Sequence, residues 1–388
     1  MLSAAEFEYT IVGAGLSGLA LANTLCKLEA KGATAKSICL IEPRLSYVRD
    51  HTWCFWNNVV EKLNVPLTKK WHKWKVRYRS KNSVRGSKQY PYTCVLADDY
   101  YDQALKPLKA CDNVQLFLGE SVESIAYSNS RIEISTAERT VYSQFLFDSR
   151  PPRMLEQEFK QDFFGWHVRS IKGVFDVDCL TLMDFTEVEI ANSGRGFHFF
   201  YVLPFSDTDA LVESVWVGFE RLAKEEHERL LISYLSTEYG LDGLDAFAKI
   251  HVEHGCIPMH TVQGKSPDRR HALIGLAGGM ARSSTGYAFA AIHHSNSAIG
   301  RAIERRRWPN IVEGLSSKAQ LLDKVLLTYL KQNPSEGPLL LSSLFERVDA
   351  DVLVRFLCDR SSLADDAAIF AVMPRKIELS AIMAKVIL

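Results

Sequence analysis

The spacing of apolar residues changes period several times along the chain, and each change marks an element. Tyr9 to Val12 are β-rich, and from Leu16 to Leu28 apolar residues recur at helical spacing after a tight glycine turn. SICLIEP is a second short apolar strand, ending in Glu42, so the chain opens with one βαβ unit. Residues 70–150 alternate in polarity, as in WKVRYRS, VQLFLGE and RIEIST, and predict short strands. FLFDSRPPR ends a strand in a proline pair, a plausible return between domains. GWHVRSIKGVF, LTLMDFTEVEI, GFHFFYVLPF and ALVESVWVGFE predict long strands of a separate sheet, and KEEHERLLISYLSTEYG an amphipathic helix. GLAGGMARSSTGYAFAAIHHSNSAIGRAIE reads as a Gly-rich turn followed by a helix, and the last eighty residues as helical. No internal repeat, low-complexity linker or charge block interrupts this pattern.

At 388 residues, the chain has room for two intimately joined domains, or one with an inserted part. The expected plan is α/β: a Rossmann-type domain from 1–155 and 256–310, an inserted antiparallel β-sheet substrate domain at 156–255, and a helical C-terminal region at 311–388. Lys plus Arg equals Asp plus Glu, at 46 each, which removes any whole-protein argument for nucleic-acid binding. It suits a protein that sits near a surface or a partner. The N-terminus lacks the basic and cleavable apolar segments of a signal peptide, so none is expected. No apolar run reaches the ~18 residues of a spanning helix. The eight cysteines form no CxxC pair, so free buried thiols in a reducing cytoplasm are expected, with no zinc site.

Gly13-Ala14-Gly15-Leu16-Ser17-Gly18 fits the dinucleotide fingerprint GxGxxG. Gly13 permits the tight turn, Gly15 lets backbone approach a pyrophosphate, and Gly18 allows helix to pack on strand. The helix N-terminus offers free N–H groups to the phosphates. Glu42, closing the next strand, stands where a carboxylate accepts from a ribose. An N-terminal fingerprint, a strand-rich insertion and a late second glycine turn, Gly275-Leu276-Ala277-Gly278-Gly279, together make the plan of FAD enzymes of the hydroxylase type. Most flavin hydroxylases have Gly-Asp at the end of that late segment. Gly278-Gly279 here argues against an ordinary hydroxylase.

Several stretches point one way together: DHTWCFW at 50–56, FDSRPP at 147–152, MDF at 183–185, GFHFFYVLPFSDTDALVESVW, GCIPM at 255–259 and STGYAF at 284–289. In that order and spacing they resemble the bacterial lycopene β-cyclases along essentially the whole chain, and the tail segment LFERVDADVLVRFLCDRSSLADDAAIF resembles that family's C-terminal part. The resemblance implies an FAD protein that closes β-ionone rings on the ends of linear carotenoids such as lycopene. That reaction is an isomerisation without net redox change. It further implies reduced FAD, with NAD(P)H or another donor keeping it reduced.

Such a cyclisation starts when an acid protonates C2 of the terminal alkene. It ends when a base removes the C6 proton, and between them a carbocation needs a dry, aromatic pocket. Glu213, in the otherwise apolar strand LVESVW, is the best acid/base candidate, because a carboxyl in an apolar wall has a raised pKa. By alternation it shares a face with Leu211 and Val215. Its alternatives are pairing with an Arg or lying on a wet face, and reduced flavin is the rival proton donor. Asp184 is a second candidate carboxylate, with a structural hydrogen-bonding role equally open. The expected FAD contacts are Gly13, Ala14, Gly15, Gly18, Glu42, His51, Asp148, Gly279, Thr285 and Gly286, the N–H groups of the Ser284–Tyr287 turn meeting the flavin at the opening of the late helix. The expected pocket walls are Trp53, Phe55, Phe199, Tyr201 and Tyr287, although an aromatic staple or sheet core would read the same way. Trp56 reads more readily as core, Cys54 as a packed thiol, and Arg150 as structural. Lycopene is insoluble, so a peripheral protein at the cytoplasmic membrane is expected, with GPLLLSSLF and AIFAVM as candidate membrane-dipping surfaces. The alternatives are a flavin monooxygenase or halogenase, a cyclase making ε-rings or closing one end, and a carotenoid-binding protein that has lost catalysis.

Overall fold

The structure, a computed structural model, describes residues 5–29, 36–59, 63–151, 158–190, 193–260, 266–305, 307 and 314–373. The expected boundaries at 155/156 and 310/311, the second proline of FLFDSRPPR and residues 374–388 of the expected tail lie outside these.

Strand β1 (Ala5–Val12), helix α1 (Leu16–Glu29) and strand β2 (Ile38–Glu42) form the expected βαβ unit. β1 and β2 pair in parallel, from Tyr9 against Ile38 to Val12 against Ile41. Every residue of β2 is buried, as a parallel strand covered on both faces requires. Next come β3 (Thr52–Trp56), β4 (Lys69–Trp71), β5 (Lys73–Tyr78), β6 (Lys81–Gly86), β7 (Tyr92–Leu96) and α2 (Ala97–Lys109). They are followed by β8 (Val114–Leu118), β9 (Ser124–Tyr127), β10 (Ile132–Ser135) and β11 (Thr140–Asp148). Then β12 (Lys160–Ser170), β13 (Cys179–Phe185), β14 (Gly196–Pro204), β15 (Asp209–Gly218), α3 (Lys224–Tyr239) and β16 (Phe247–Pro258) build the second region. After β17 (His271–Leu273) come, among the described residues, the helices α4 (Phe289–Glu304), α5 (Ser317–Gln332), α6 (Gly337–Arg347), α7 (Ala350–Leu357) and α8 (Leu363–Val372).

The first sheet has the order β8-β2-β1-β11-β10-β9, with β17 parallel to the end of β11. Strand order reverses about β1, so the carboxyl ends of β1, β2 and β11 open on one crevice. α4 lies close on α1: a Cβ on Gly300 would stand 2.5 Å from Thr24 Cγ2.

The second sheet has the order β16-β12-β15-β14-β13-β5-β6. β5 and β6 come from well before the expected boundary at 156, and β5 pairs with β13 in parallel, Cys179 against Lys73. The substrate sheet is therefore neither one continuous insertion nor wholly antiparallel. One face packs on α3 through Phe164, Trp166, Phe200, Leu231 and Tyr234. Its other face, with Phe197, Phe199, Leu211 and Val215, packs towards Leu330, Leu340, Leu344 and Phe345 of the tail helices. A small sheet of order β3-β7-β4 completes the strands. Two tail helices start on side-chain caps: Asp349 accepts from the first turn of α7, and Ser362 with Asp365 forms a capping box on α8.

Candidate active site

One cavity of about 810 Å³ runs from the glycine turn after β1 to the tail helices. Its polar end is built by close approach. Gly13 has φ +88°, and a Cβ on it would meet Ser149 Oγ at 2.4 Å; a Cβ on Gly18 would meet the Gly13 carbonyl oxygen at 1.9 Å. At Gly15 a Cβ would stand in ordinary contact with Arg44 Nη2, at 3.5 Å, so backbone and guanidinium lie close together here. Ser17 lines the cavity, and its Oγ is buried with no hydrogen-bond partner among the described residues. Glu42 reaches back from β2: its Oε2 accepts from Ala14 N at 2.7 Å.

Arg44, which the sequence reading did not single out, occupies this end too. Its Nε donates to Glu42 Oε1 at 2.7 Å and its Nη1 to Asp50 Oδ2 and Tyr101 Oη, each at 3.0 Å. Its guanidinium lies over the rings of Tyr47 and Tyr101. The available signal was its position, two residues beyond the strand-closing glutamate. A fixed cation, a helix N-terminus, a glycine lining the cavity and a hydroxyl unpartnered among the described residues suit the pyrophosphate and ribose of a dinucleotide.

Asp148 does not reach the cavity; Arg150 does. Asp148 sits behind it, accepting from Arg150 Nη2 at 2.6 Å and Nε at 3.0 Å. Burial raises its pKa, but hydrogen bonds from His271 and Arg150 outweigh burial and hold the carboxyl at about 2. Gly279 likewise turns away. It has φ +75° and its carbonyl lies beside Gly314, while Gly275 and Leu276 of the same turn line the cavity. Thr285, Gly286 and Tyr287 reach the cavity as walls. The late helix, however, begins at Phe289 and not at Ser284. The N–H groups of Thr285 and Gly286 are committed to the Arg282 carbonyl at 3.2 and 2.7 Å, so they are not free donors.

The apolar end is laid out by strand register. One row across β14, β15, β12 and β16 reads Tyr201, Glu213, Gly165, Glu253. The next reads Phe199, Val215, Phe163, Gly255, and the third Phe197, Val217, Gln161, Ile257. All of these except Gly165 line the cavity. Glu213 keeps some accessible surface and lines the cavity. Burial, with Glu253 beside it, pushes its carboxyl well above the usual range. Glu253 was absent from the sequence reading. Burial raises its pKa as well, opposed by the Thr52 hydroxyl, which donates to Oε1 at 3.0 Å, and by Arg49 and His51.

DHTWCFW divides after Cys54: Asp50 to Cys54 line the cavity, and Phe55 and Trp56 do not. Thr52 and Cys54 look into the cavity, and Cys54 stands opposite Cys94. Burial pushes the Cys54 thiol up, which disfavours the thiolate. Trp53 lines the cavity and meets Tyr100 and Tyr101 edge-on, at 5.3 and 5.6 Å between centroids. Phe55 does not reach this cavity: it is buried and stacked on Phe289 at 4.7 Å. Trp56 is core, edge-on to Trp74 and Tyr92. His51 is half-exposed at the rim, 3.1 Å from Asp50 and stacked on Trp53. Tyr201 Oη donates to Tyr92 Oη at 3.1 Å, and Tyr287 meets Tyr92 edge-on.

Asp184 lies on the other side of the sheet. It is 0% exposed, and it accepts from Arg77 Nε at 2.8 Å, Thr186 Oγ1 at 2.7 Å and Tyr234 Oη at 2.8 Å. With both carboxylate oxygens hydrogen-bonded under α3 and none of it lining the cavity, it holds the sheet together and is not an acid of the cavity. An irregularity in β13 between Thr181 and Asp184 makes the switch: Leu182 and Met183 both line the cavity, so alternation fails there.

The model of the lycopene cyclase protein family matches residues 9–382. The chain belongs to the lycopene cyclase family. No curated protein sequence matches it. Solved structures share its fold. A geranylgeranyl bacteriochlorophyll reductase-like protein from Thermoplasma acidophilum superposes with TM-score 0.63 at 12% identity, covering 98% of this chain and 100% of that one. A flavoprotein/dehydrogenase from Cytophaga hutchinsonii gives 0.64 at 12%, covering 98% and 99%. A halogenase in complex with phloroglucinol and FAD gives 0.59 at 11%, covering 94% and 90%. This lycopene cyclase family member thus has the fold of FAD-dependent oxidoreductases and halogenases. No helix among its described residues is long and apolar enough to cross a membrane.

Proposed function

We propose that the protein is a lycopene β-cyclase that holds FAD at the polar end of the cavity and a carotenoid end group at the apolar end. One observation carries this reading beyond the family: Glu213, which makes no hydrogen bond to another described residue, faces a cavity walled by Phe163, Phe197, Phe199 and Tyr201. Gly15, Ser17, Glu42, Arg44 and Arg150 would hold the dinucleotide. Bound and reduced, the flavin would supply negative charge beside a developing cation, and NAD(P)H is the donor we propose for keeping it reduced.

The chain's own residues account for the remaining requirements. Glu213 is kept protonated by burial and donates to C2 of the terminal alkene. The aromatic walls exclude water and turn negative ring faces towards the cation. A redox enzyme acting on a polar substrate has no need of such a pocket. Leu341, Leu344 and Phe345 of GPLLLSSLF also line the cavity, while Leu339 and Leu363 are exposed on the tail. These exposed leucines support a peripheral seat on the bilayer that supplies the carotenoid.

Expression in bacteria that accumulate lycopene, with pigments separated by chromatography, tests the reading. Conversion to β- or γ-carotene is expected, and Glu213→Gln should abolish it. Unchanged lycopene beside flavin-loaded protein would reject it in favour of an oxygen-using flavoenzyme. Sedimentation with liposomes, with and without Leu339→Glu and Leu363→Glu, tests the membrane seat.

A further inference from the structure

The two carboxyls of the row Glu213-Gly165-Glu253 have different surroundings. Among the described residues Glu213 has no hydrogen-bond donor, whereas Glu253 accepts from Thr52 Oγ1 at 3.0 Å and is 5% exposed. The strand between them carries no side chain in that row: a Cβ on Gly165 would stand 2.8 Å from Glu213 Cγ. With neighbouring strands about 4.8 Å apart, the two glutamate backbones are roughly 10 Å from one another. The Glu213 side chain leans over this glycine floor, its Oε1 3.3 Å from where that Cβ would stand, and both carboxyls line the cavity. Resting on the cyclase reading above, we infer that Glu253 is the base that takes the C6 proton of the closing ring, opposite Glu213 as the acid.

The step balances. The Glu213 proton becomes the C2–H bond, using the C1–C2 π pair and leaving C1 cationic. The C5–C6 pair then forms the C1–C6 bond and moves the charge to C5. Loss of the C6 proton to Glu253 returns that bond pair as the C5–C6 double bond. One proton enters and one leaves, and transfer from Glu253 back to Glu213 resets the pair. The cation at C5 has other exits: loss of a proton from C4 gives an ε-ring, and loss from the C5 methyl gives an exocyclic double bond. The position of the base selects among them, so Glu253 sets ring type.

The groups facing Glu253 agree with this division. Among the described residues, Glu213 on β15 is the acid that shares its row. Burial raises the pKa of Glu253, while Thr52, Arg49 and His51 favour its charged form, and Cys54 is held as a thiol. Its same-face neighbours His167 and His251 are kept neutral, chiefly by burial, His167 at about 4.

The test compares wild type, Glu253→Gln and Thr52→Val as FAD-loaded, chemically reduced protein with micellar lycopene. Failure of the wild type to cyclise would sink the cyclase reading itself. If the wild type cyclises, Glu253→Gln should be slower by roughly 10²–10⁴-fold, with ε- or exocyclic ends in its residual product. A Glu253→Gln enzyme that makes β-rings alone at the wild-type rate overturns the inference. Where no product can be detected, Thr52→Val decides. Losing that hydrogen bond raises the pKa of Glu253, so the acid limb of the kcat–pH profile must move to higher pH, and an unmoved limb overturns the inference.

Discussion

Arg282 and Asp323 form an enclosed ion pair between the turn that precedes α4 and helix α5. Arg282 Nε donates to both carboxylate oxygens at 3.0 Å, and Nη2 to Oδ1 at 2.6 Å. Ser284 Oγ donates to the same Oδ1 at 2.7 Å, and Arg282 Nη1 reaches the Phe356 carbonyl of α7 at 2.9 Å. One guanidinium thus ties a cavity wall to two of the helices that roof it.

Removing one partner strands the other. Asp323→Ala leaves a buried guanidinium with its charge uncompensated, a loss of about 3–5 kcal/mol. Thermal or urea unfolding should register that loss, whereas Asp323→Asn, which keeps an acceptor, should lose less.

Gly165 sets the position of Glu213 without touching substrate. Gly165→Ala places a methyl 2.8 Å from Glu213 Cγ, so the carboxyl must swing aside. A displacement of this kind costs on the order of 10² in rate. Flavin content should remain at the wild-type level, because Gly165 lies away from the dinucleotide end; turnover and flavin absorbance measured on one preparation check both halves.

Gly18 fails in the opposite way. A Cβ there would lie 1.9 Å from the Gly13 carbonyl, forcing α1 off β1 and disturbing the turn that would meet the pyrophosphate. Gly18→Ala should purify with little flavin and a lowered melting temperature, the overpacking costing roughly 1–3 kcal/mol.

Much of this was legible in the sequence, for local reasons. Glycine spacing, a strand-closing glutamate and helical periodicity are all carried within about 30 residues, so the βαβ unit could be read directly. Glu213 stood out as the lone acid among apolar neighbours. Glu253 did not, because HVEHGCIP mixes polar and apolar residues like an exposed edge strand. Only its pairing with Gly165 places it beside Glu213. Asp184 and Phe55 misled for one reason: a residue type shows that a side chain is buried, not which side of a sheet it faces, and β13 breaks its alternation just where that mattered.

Glu213 also leaves a mark on stability. An unfolded glutamate titrates near its ordinary value of 4.5, and the folded carboxyl lies well above it. Its favourable contribution is therefore complete below the ordinary value and is lost as pH rises through the folded value. Glu213→Gln removes this penalty. At neutral pH the variant should melt roughly a few degrees higher than wild type while being inactive, and in acid the difference should vanish. Scanning calorimetry at two pH values checks the sign.

The parallel pairing of β5 with β13 bears on how the chain comes to be folded at all. Lys73 finds Cys179 roughly a hundred residues later, and β6 is attached to the sheet only through β5. During synthesis β5 and β6 emerge early and wait, with an unpaired strand edge, until β13 has been made. Pairing over such a span is slow and exposes the intermediate to aggregation. Cutting the gene at the apparent domain boundary should then give two insoluble pieces, since the first half carries two strands of a sheet whose other five belong to the second.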